Sequence, residues 1–265
     1  MKKTALSLAI ATVLPAFANA EKVEIELPKF YGKINVSVQN TQEGAASISE
    51  VVSNASRLGV KGNIDLKHGL QGVYKAEYQT AVDDGDNSGQ TFSQRNIFGG
   101  IKGDFGQVIV GQFDTPLKKA QKKIDLFNDL EGDIKNVITN SDNRTKNTVQ
   151  YNTPKIAGLV ATVAHIASED ETVNDGTSSS LTYSRKKFYA AIAYDTDVEA
   201  NGIDVTRLVA QYSVAGFTLG GLWETQQRAG QNRDGWVYSA AYKLTSDVKL
   251  KAQYGESDIA SKDGV

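Results

Sequence analysis

The chain has 265 residues, with 29 Lys and Arg against 31 Asp and Glu, a formal net charge of −2 and no cysteine. That balance excludes the strongly basic surface of a typical nucleic-acid binder, and the missing thiols exclude disulfide and thiolate chemistry. Four prolines against 24 glycines suit strands that pair without interruption and turns that must be tight.

Residues 1–20 read as a secretory signal peptide. Met1-Lys2-Lys3 is a short basic start, Ala5 to Ala18 is apolar, and Ala18-Asn19-Ala20 places small residues at the −3 and −1 positions of a cleavage site after Ala20. With Lys2 and Lys3 removed, 27 basic side chains face 31 acidic ones, a net charge of −4. Beyond this point no apolar run approaches the ~18 residues of a membrane-crossing helix. Residues 21–265 instead alternate between apolar and polar side chains in one domain.

The first strand is predicted over 30–39, with Ile34, Val36 and Val38 on one face and Lys33, Asn35, Ser37 and Gln39 on the other. The second, over 56–66, sets Leu58, Val60, Ile64 and Leu66 against Arg57, Lys61, Asn63 and Asp65. The third, over 70–79, sets Leu70, Tyr74, Ala76 and Tyr78 against Gln71, Lys75, Glu77 and Gln79. Period-two alternation of this length is a strand signal. It continues through 95–103, 107–114, 147–154, 159–167, 179–186, 189–195, 205–214, 217–226, 236–244 and 248–256, about thirteen strands altogether.

Short links at 67–69, 104–106, 215–216 and 245–247 alternate with long polar ones at 41–55, 82–93, 169–177, 197–203 and 228–234. Short turns at one end and long loops at the other are the pattern of an all-β, transmembrane antiparallel β-barrel. Phe30, Tyr31, Phe92, Phe105 and Trp236, near strand ends, are expected in its interfacial girdles. A soluble β-sandwich or solenoid also offers one apolar face per strand. Here, however, the apolar faces carry lone Ala, Gly, Val and Leu, and the opposite faces carry Lys, Arg and Glu in mid-strand, as if lining water.

One link breaks the rhythm. Asp114-Thr115-Pro116 leads into Lys118, Lys119, Lys122 and Lys123, then into Asp125, Asp129, Glu131 and Asp133, ending near Asn143. At roughly thirty residues it exceeds ordinary loop lengths and is expected to be functional. Leu117, Ile124, Leu126, Phe127 and Leu130 are expected to anchor it to a barrel wall. Folded inward, it narrows the lumen and sets the local field.

Several stretches resemble the general porins of Gram-negative bacteria. They are Tyr31-Gly32-Lys33, the run from Ser56 to Gly62, the run from Arg95 to Gly106, Gly111-Gln112-Phe113-Asp114-Thr115-Pro116, and Asn143-Arg144 ahead of Asn147 to Tyr151. The resemblance implies a sixteen-stranded barrel in the parent family and a third external loop folded inward as a constriction. It implies a homotrimer in the outer membrane, with outer-membrane lipid, lipopolysaccharide and the barrel-assembly machinery as partners. It also implies passive diffusion of ions and small hydrophilic solutes, without catalysis, cofactor, metal or nucleic acid. Basic wall residues of that family face loop carboxylates. The matching wall positions are Lys33, Arg57, Arg95 and Arg144, with Lys61 and Lys75 on the same polar faces. Parity supports Lys33, Arg57 and Arg144; it is weaker for Arg95, whose face Ile97 shares. The loop set is Asp114, Pro116, Lys118, Lys119, Asp125, Asp129, Glu131 and Asp133, and which carboxylate meets the pore stays open. Gln112 stands where related sequences often carry a basic residue.

Three other functions compete with this reading. An enzyme lacks support, because neither His68 nor His165 has a nucleophile or metal-ligand spacing beside it. Asp83-Asp84-Gly85-Asp86-Asn87 lacks the spacing and closing Glu of a calcium loop. A substrate-specific channel and a non-conducting structural or adhesin barrel are alternatives to a diffusion pore. Thirteen strands are odd in number, and the end from Ser257 to Val265 reads as an external loop. Single-chain barrels of this type close with even numbers. The sequence therefore predicts a C-terminally incomplete barrel, a fragment or truncated product, with two open edges and no stable pore alone.

Overall fold

The computed structural model describes residues 27–43, 46–85, 89–259 and 262. The predicted signal peptide, its cleavage site, Asp86 and Asn87 lie outside them, as do the last three residues. Fifteen strands are present among the described residues. The first five are β1 (Lys29–Lys33), β2 (Val36–Glu43), β3 (Ala46–Ser53), β4 (Arg57–Lys67) and β5 (Leu70–Gln79). Next come β6 (Ser93–Gly103), β7 (Gly106–Asp114), β8 (Arg144–Asn152), β9 (Leu159–Ile166) and β10 (Gly176–Arg185). The last are β11 (Phe188–Thr196), β12 (Ile203–Val214), β13 (Phe217–Arg228), β14 (Gln231–Lys243) and β15 (Lys249–Ser257).

Thirteen of these make one antiparallel sheet in the order β1-β4-β5 and onward in sequence to β15. The count matches the thirteen predicted segments, and the barrel is open as expected, since β1 and β15 are edges among the described residues. The sheet nevertheless curls into a lumen. One loop touches both edges: Asp129 lies 3.5 Å from Lys33 of β1, and the Leu126 amide donates to Gln253 of β15 at 2.8 Å. Hydrogen bonding between neighbours satisfies the backbone of the inner strands without water, as lipid demands.

The predicted first strand is two strands. The chain leaves the sheet after Lys33, and β2 and β3 pair only with each other among the described residues. Asn35 makes the break. Its side chain donates to the Asn54 carbonyl at 2.9 Å, its amide donates to Ser56 Oγ at 3.0 Å, and its own carbonyl accepts from the Asn54 amide at 2.7 Å. Alternation of Ile34, Val36 and Val38 does not distinguish a barrel strand from this projecting hairpin, which claims much of the predicted loop over 41–55.

Alternation is clearest in the later strands. On β12, Leu208 and Tyr212 face outward, whereas Val205, Arg207 and Val209 are buried inside. Outer-face aromatics cluster where Trp236 meets Tyr238 and Tyr254 at 5.2 and 5.5 Å between ring centroids. Tyr31 departs from the girdle expectation. It shares the inward parity of Lys33, and its hydroxyl donates to Glu77 at 2.8 Å.

Candidate functional site

The long segment between β7 and β8 lies across the lumen. It leaves β7 just past a register shift, where Lys146 and Asn147 of β8 together stand opposite Gln112. Gly111 has φ of +142°, and a Cβ there would sit 2.3 Å from the Ile97 carbonyl oxygen, so glycine is required. Phe113 keeps the inward parity of Ile109, and Asp114 at the end of the strand meets Arg144. Thr115 then caps a short helix, α1 (Pro116–Ala120), accepting from the Lys118 amide, with Pro116 at its first turn. Asp133 caps a second, α2 (Ile134–Val137).

Apolar burial holds the loop down. Leu117, Ile124, Ile134 and Ile138 are fully buried against Tyr189, Val205, Val209, Leu222 and Val237 of the inner wall. Each such side chain contributes about 1.5–3 kcal/mol relative to exposure. Leu117 and Ile124 anchor as the sequence predicts, while Leu126, Phe127 and Leu130 are half-buried. Ile134, Val137 and Ile138 are further anchors that the sequence reading missed.

A polar latch supplements them. Arg207 of β12 and Glu224 of β13 are register partners, both buried. Arg207 Nε donates to Glu224 at 2.6 Å, and Nη1 donates to the Leu117 carbonyl, Gln121 and Asp142 of the loop at 3.3, 3.1 and 3.2 Å. Thr139 donates to the other Glu224 oxygen. A charged residue at inward parity between Val205 and Val209 is the signal that marks Arg207 in the sequence.

Opposite the anchored side, the loop faces charges. Asp129 pairs with Arg57 Nη2 and Lys33 Nζ, and lies 3.9 Å from Arg95 Nη2. Of the four open loop carboxylates, Asp129 therefore meets the wall. Asp133 holds it there by accepting from the Asp129 amide at 2.8 Å. Asp125 is likewise structural, accepting from Phe127, Asn128 and Ile134, and Glu131 is exposed. Arg144 pairs with Asp114 at 2.8 Å, and Lys118 bridges Asp114 and Asp142 at 3.8 and 3.6 Å. Lys119 packs over the Phe113 ring. Lys75 pairs with Glu77 at 3.1 Å, and Lys61 stands over Tyr31 on the same wall. Gln112 donates to the Arg95 carbonyl at 3.2 Å.

Two parity arguments need correction. Arg95 faces inward although Ile97 does not share its side, because the β5–β6 ladder slips between the Ala76–Ile97 and Tyr78–Gln94 pairs. There Arg95 donates to Glu77 and Gln79 at 3.3 and 2.7 Å. Arg144 also lies beyond a register shift, so Lys146, Thr148 and Gln150 do not set its side. Its contact with Asp114 does. Glu77, buried between Tyr31, Lys75 and Arg95, is a site residue the sequence reading named only as part of a polar face.

Burial, and next the neighbouring Asp133 carboxylate, push Asp125 up to about 7 from 3.8. The folded loop thus binds this proton more tightly than the unfolded chain does, so the stabilisation is complete below pH 3.8 and is lost as pH rises to about 7. Amide protection over 124–138, corrected for intrinsic exchange, is expected to fall between pH 4 and 8, and Asp125→Asn to flatten that dependence. Equal slopes in the two proteins would refute the assignment.

A family model described as Gram-negative porin matches residues 5–265. The major outer membrane protein P.IB of Neisseria gonorrhoeae is 28% identical over 208 residues, covering 73% of this chain and 56% of its own length. That of Neisseria sicca is 29% identical over 182 residues, covering 62% and 47%. The chain spans about half the length of the curated relatives it matches. Among solved structures, the anion-selective porin from Comamonas acidovorans superposes with a TM-score of 0.77 at 23% identity, covering 88% of this chain and 79% of that one. OmpF of Salmonella typhi, in complex with daunomycin, gives 0.72 at 14% identity, covering 90% and 82%. These two likenesses bear on the fold alone.

Proposed function

Because this chain belongs to the Gram-negative porin family of the outer membrane, whose members are channels rather than enzymes, we propose that it supplies the lumen and constriction of a parent protein that is a general diffusion porin. One observation carries the reading. The third loop crosses the lumen and sets Asp129 against Arg57, Lys33 and Arg95 of the wall. Ions and small hydrophilic solutes pass through the remaining aqueous gap, whose width sets the size limit. Opposed charges over a low-dielectric wall produce a transverse field that orients dipolar solutes and disfavours apolar ones.

The gap favours anions. Eight basic side chains line the cleft around Arg57, Arg95, Arg144 and the loop lysines, against five acidic ones. The chain as a whole has a net charge of −2, so the positive excess is concentrated where solutes pass. The protein acts as a homotrimer among outer-membrane lipid and lipopolysaccharide, is inserted by the barrel-assembly machinery, and loses residues 1–20 on export.

Planar-bilayer recording of the protein purified from the outer membrane of its source tests this. Stepwise conductance proportional to salt concentration, with a reversal potential on the anion side, is expected. Saturation by one solute would replace the reading with a substrate-specific channel, and absence of conductance with a structural barrel.

A further inference from the structure

Three lysines stand in register on the inner wall beside the constriction, whose cleft Lys75 also borders. Lys29 of β1 pairs directly with Lys61 of β4, and Lys61 with Lys75 of β5. Lys29 has the parity of Tyr31 and Lys33, Lys61 that of Arg57, and Lys75 that of Glu77, so the row faces the lumen. It lies four residues along β4 from Arg57, about 13 Å toward the short-turn end.

Like charges directly opposite one another across a sheet are destabilising. Lys75 has one carboxylate, Glu77, at 3.1 Å. That carboxylate is shared, because it also accepts from Tyr31 and from Arg95. The hollow that Lys29, Lys61, Lys75 and Lys102 line contains no acidic side chain among the described residues. The Tyr31 ring lies between the two ammonium groups and the constriction side, 5.4 Å from Lys61 Nζ and 5.8 Å from Lys75 Nζ. The ring lies flat on Gly59, where a Cβ would come within 2.6 Å of it.

We propose that this row is a binding site for multivalent oxyanions of the diphosphate class, a second station for solute on the short-turn side of the constriction. Neighbouring strands are about 4.8 Å apart, so the three ammonium groups span about 10 Å. A monovalent anion meets one or two of them, whereas an extended polyanion bridges the row and relieves the repulsion along it. Ammonium groups serve as compact point charges for phosphate oxygens. The site rests on the porin reading in requiring a water-filled lumen.

The test is calorimetric titration of the purified, folded protein with pyrophosphate. The unsubstituted protein is expected to bind one pyrophosphate per chain, more weakly as salt rises. Lys61→Met keeps the apolar stem; it is expected to lose at least tenfold in affinity, to melt at a higher temperature without ligand, and to gain no further thermal shift from pyrophosphate. Arg144→Ala, at the constriction, is expected to bind within twofold of the unsubstituted protein. Unchanged affinity in Lys61→Met, an equal loss in Arg144→Ala, or no binding by the unsubstituted protein would each overturn the site. Conductance in chloride separates this from the porin reading: a protein that conducts without binding pyrophosphate loses only the lysine site, and one that binds without conducting loses only the pore.

Discussion

Arg207→Ala is expected to cost about 3–5 kcal/mol of folding stability, the range for breaking one side of a buried ion pair. The guanidinium is fully buried and its partner Glu224 is 2% exposed, so neither has water to fall back on. Truncation leaves the Glu224 carboxylate unpaired inside, and it also removes the donor that Leu117, Gln121 and Asp142 share. The loop and the wall should therefore loosen together. A double variant, Arg207→Met with Glu224→Leu, deletes both charges and fills the space with apolar atoms, so it should be more stable than either single variant. Urea midpoints of the folded protein in detergent, read with protease sensitivity of residues 115–143, measure both effects. A double variant less stable than both singles would show that the pair acts through something other than mutual neutralisation.

The second large effect is on selectivity. Arg57→Ala and Arg144→Ala should each move the reversal potential toward cations, and Asp129→Asn should move it the other way. One unit charge at 4 Å in water is worth about 1 kcal/mol, so each substitution should change the anion-to-cation ratio by about fivefold. The shift should be largest near 0.1 M salt, where the screening length is about 10 Å, and smaller at 1 M, where it is about 3 Å. Arg57 and Arg144 differ in a further respect. Removing Arg57 leaves Asp129 with Lys33 and distant Arg95, whereas removing Arg144 leaves Asp114 with Lys118 and Asn96. Arg57→Ala should therefore expose more negative field and give the larger shift. Unchanged reversal potentials in both variants would remove the charged constriction from the mechanism.

The barrel was legible in the sequence because a two-residue period and alternating link lengths are local properties. The thirteen strands of the sheet follow from them. The hairpin of β2 and β3 was not, because its alternation is that of a barrel strand and only the contacts of Asn35, Asn54 and Ser56 turn it out of the sheet. Lys33, Arg57 and Arg144 were visible as basic residues in the right segments. Parity failed at Arg95 and Arg144 because a bulge adds a residue that counting by twos does not register. Asp129 could not be chosen from its neighbours by composition. Asp125 and Asp133 are the same chemical group within eight residues of it, and their burial inside the loop is a tertiary fact. Arg207 and Glu224 were passed over for the opposite reason: a charge on an inward face reads as lining water, yet here the loop covers it.

The loop has a back and a front. Its back rests on β11 to β14 through Ile124, Ile134, Val137 and Arg207, and its front looks toward β1, β4 and β6 across Asp129. The circumference is thereby divided into a sector that bears load and a sector that filters traffic. Changes to the filtering sector touch few of the contacts that keep the fold intact, so that arc can be rewritten for other solutes while the opposite arc stays fixed. Redesign of such a pore would begin by exchanging the front residues as a set and leaving the bearing arc alone.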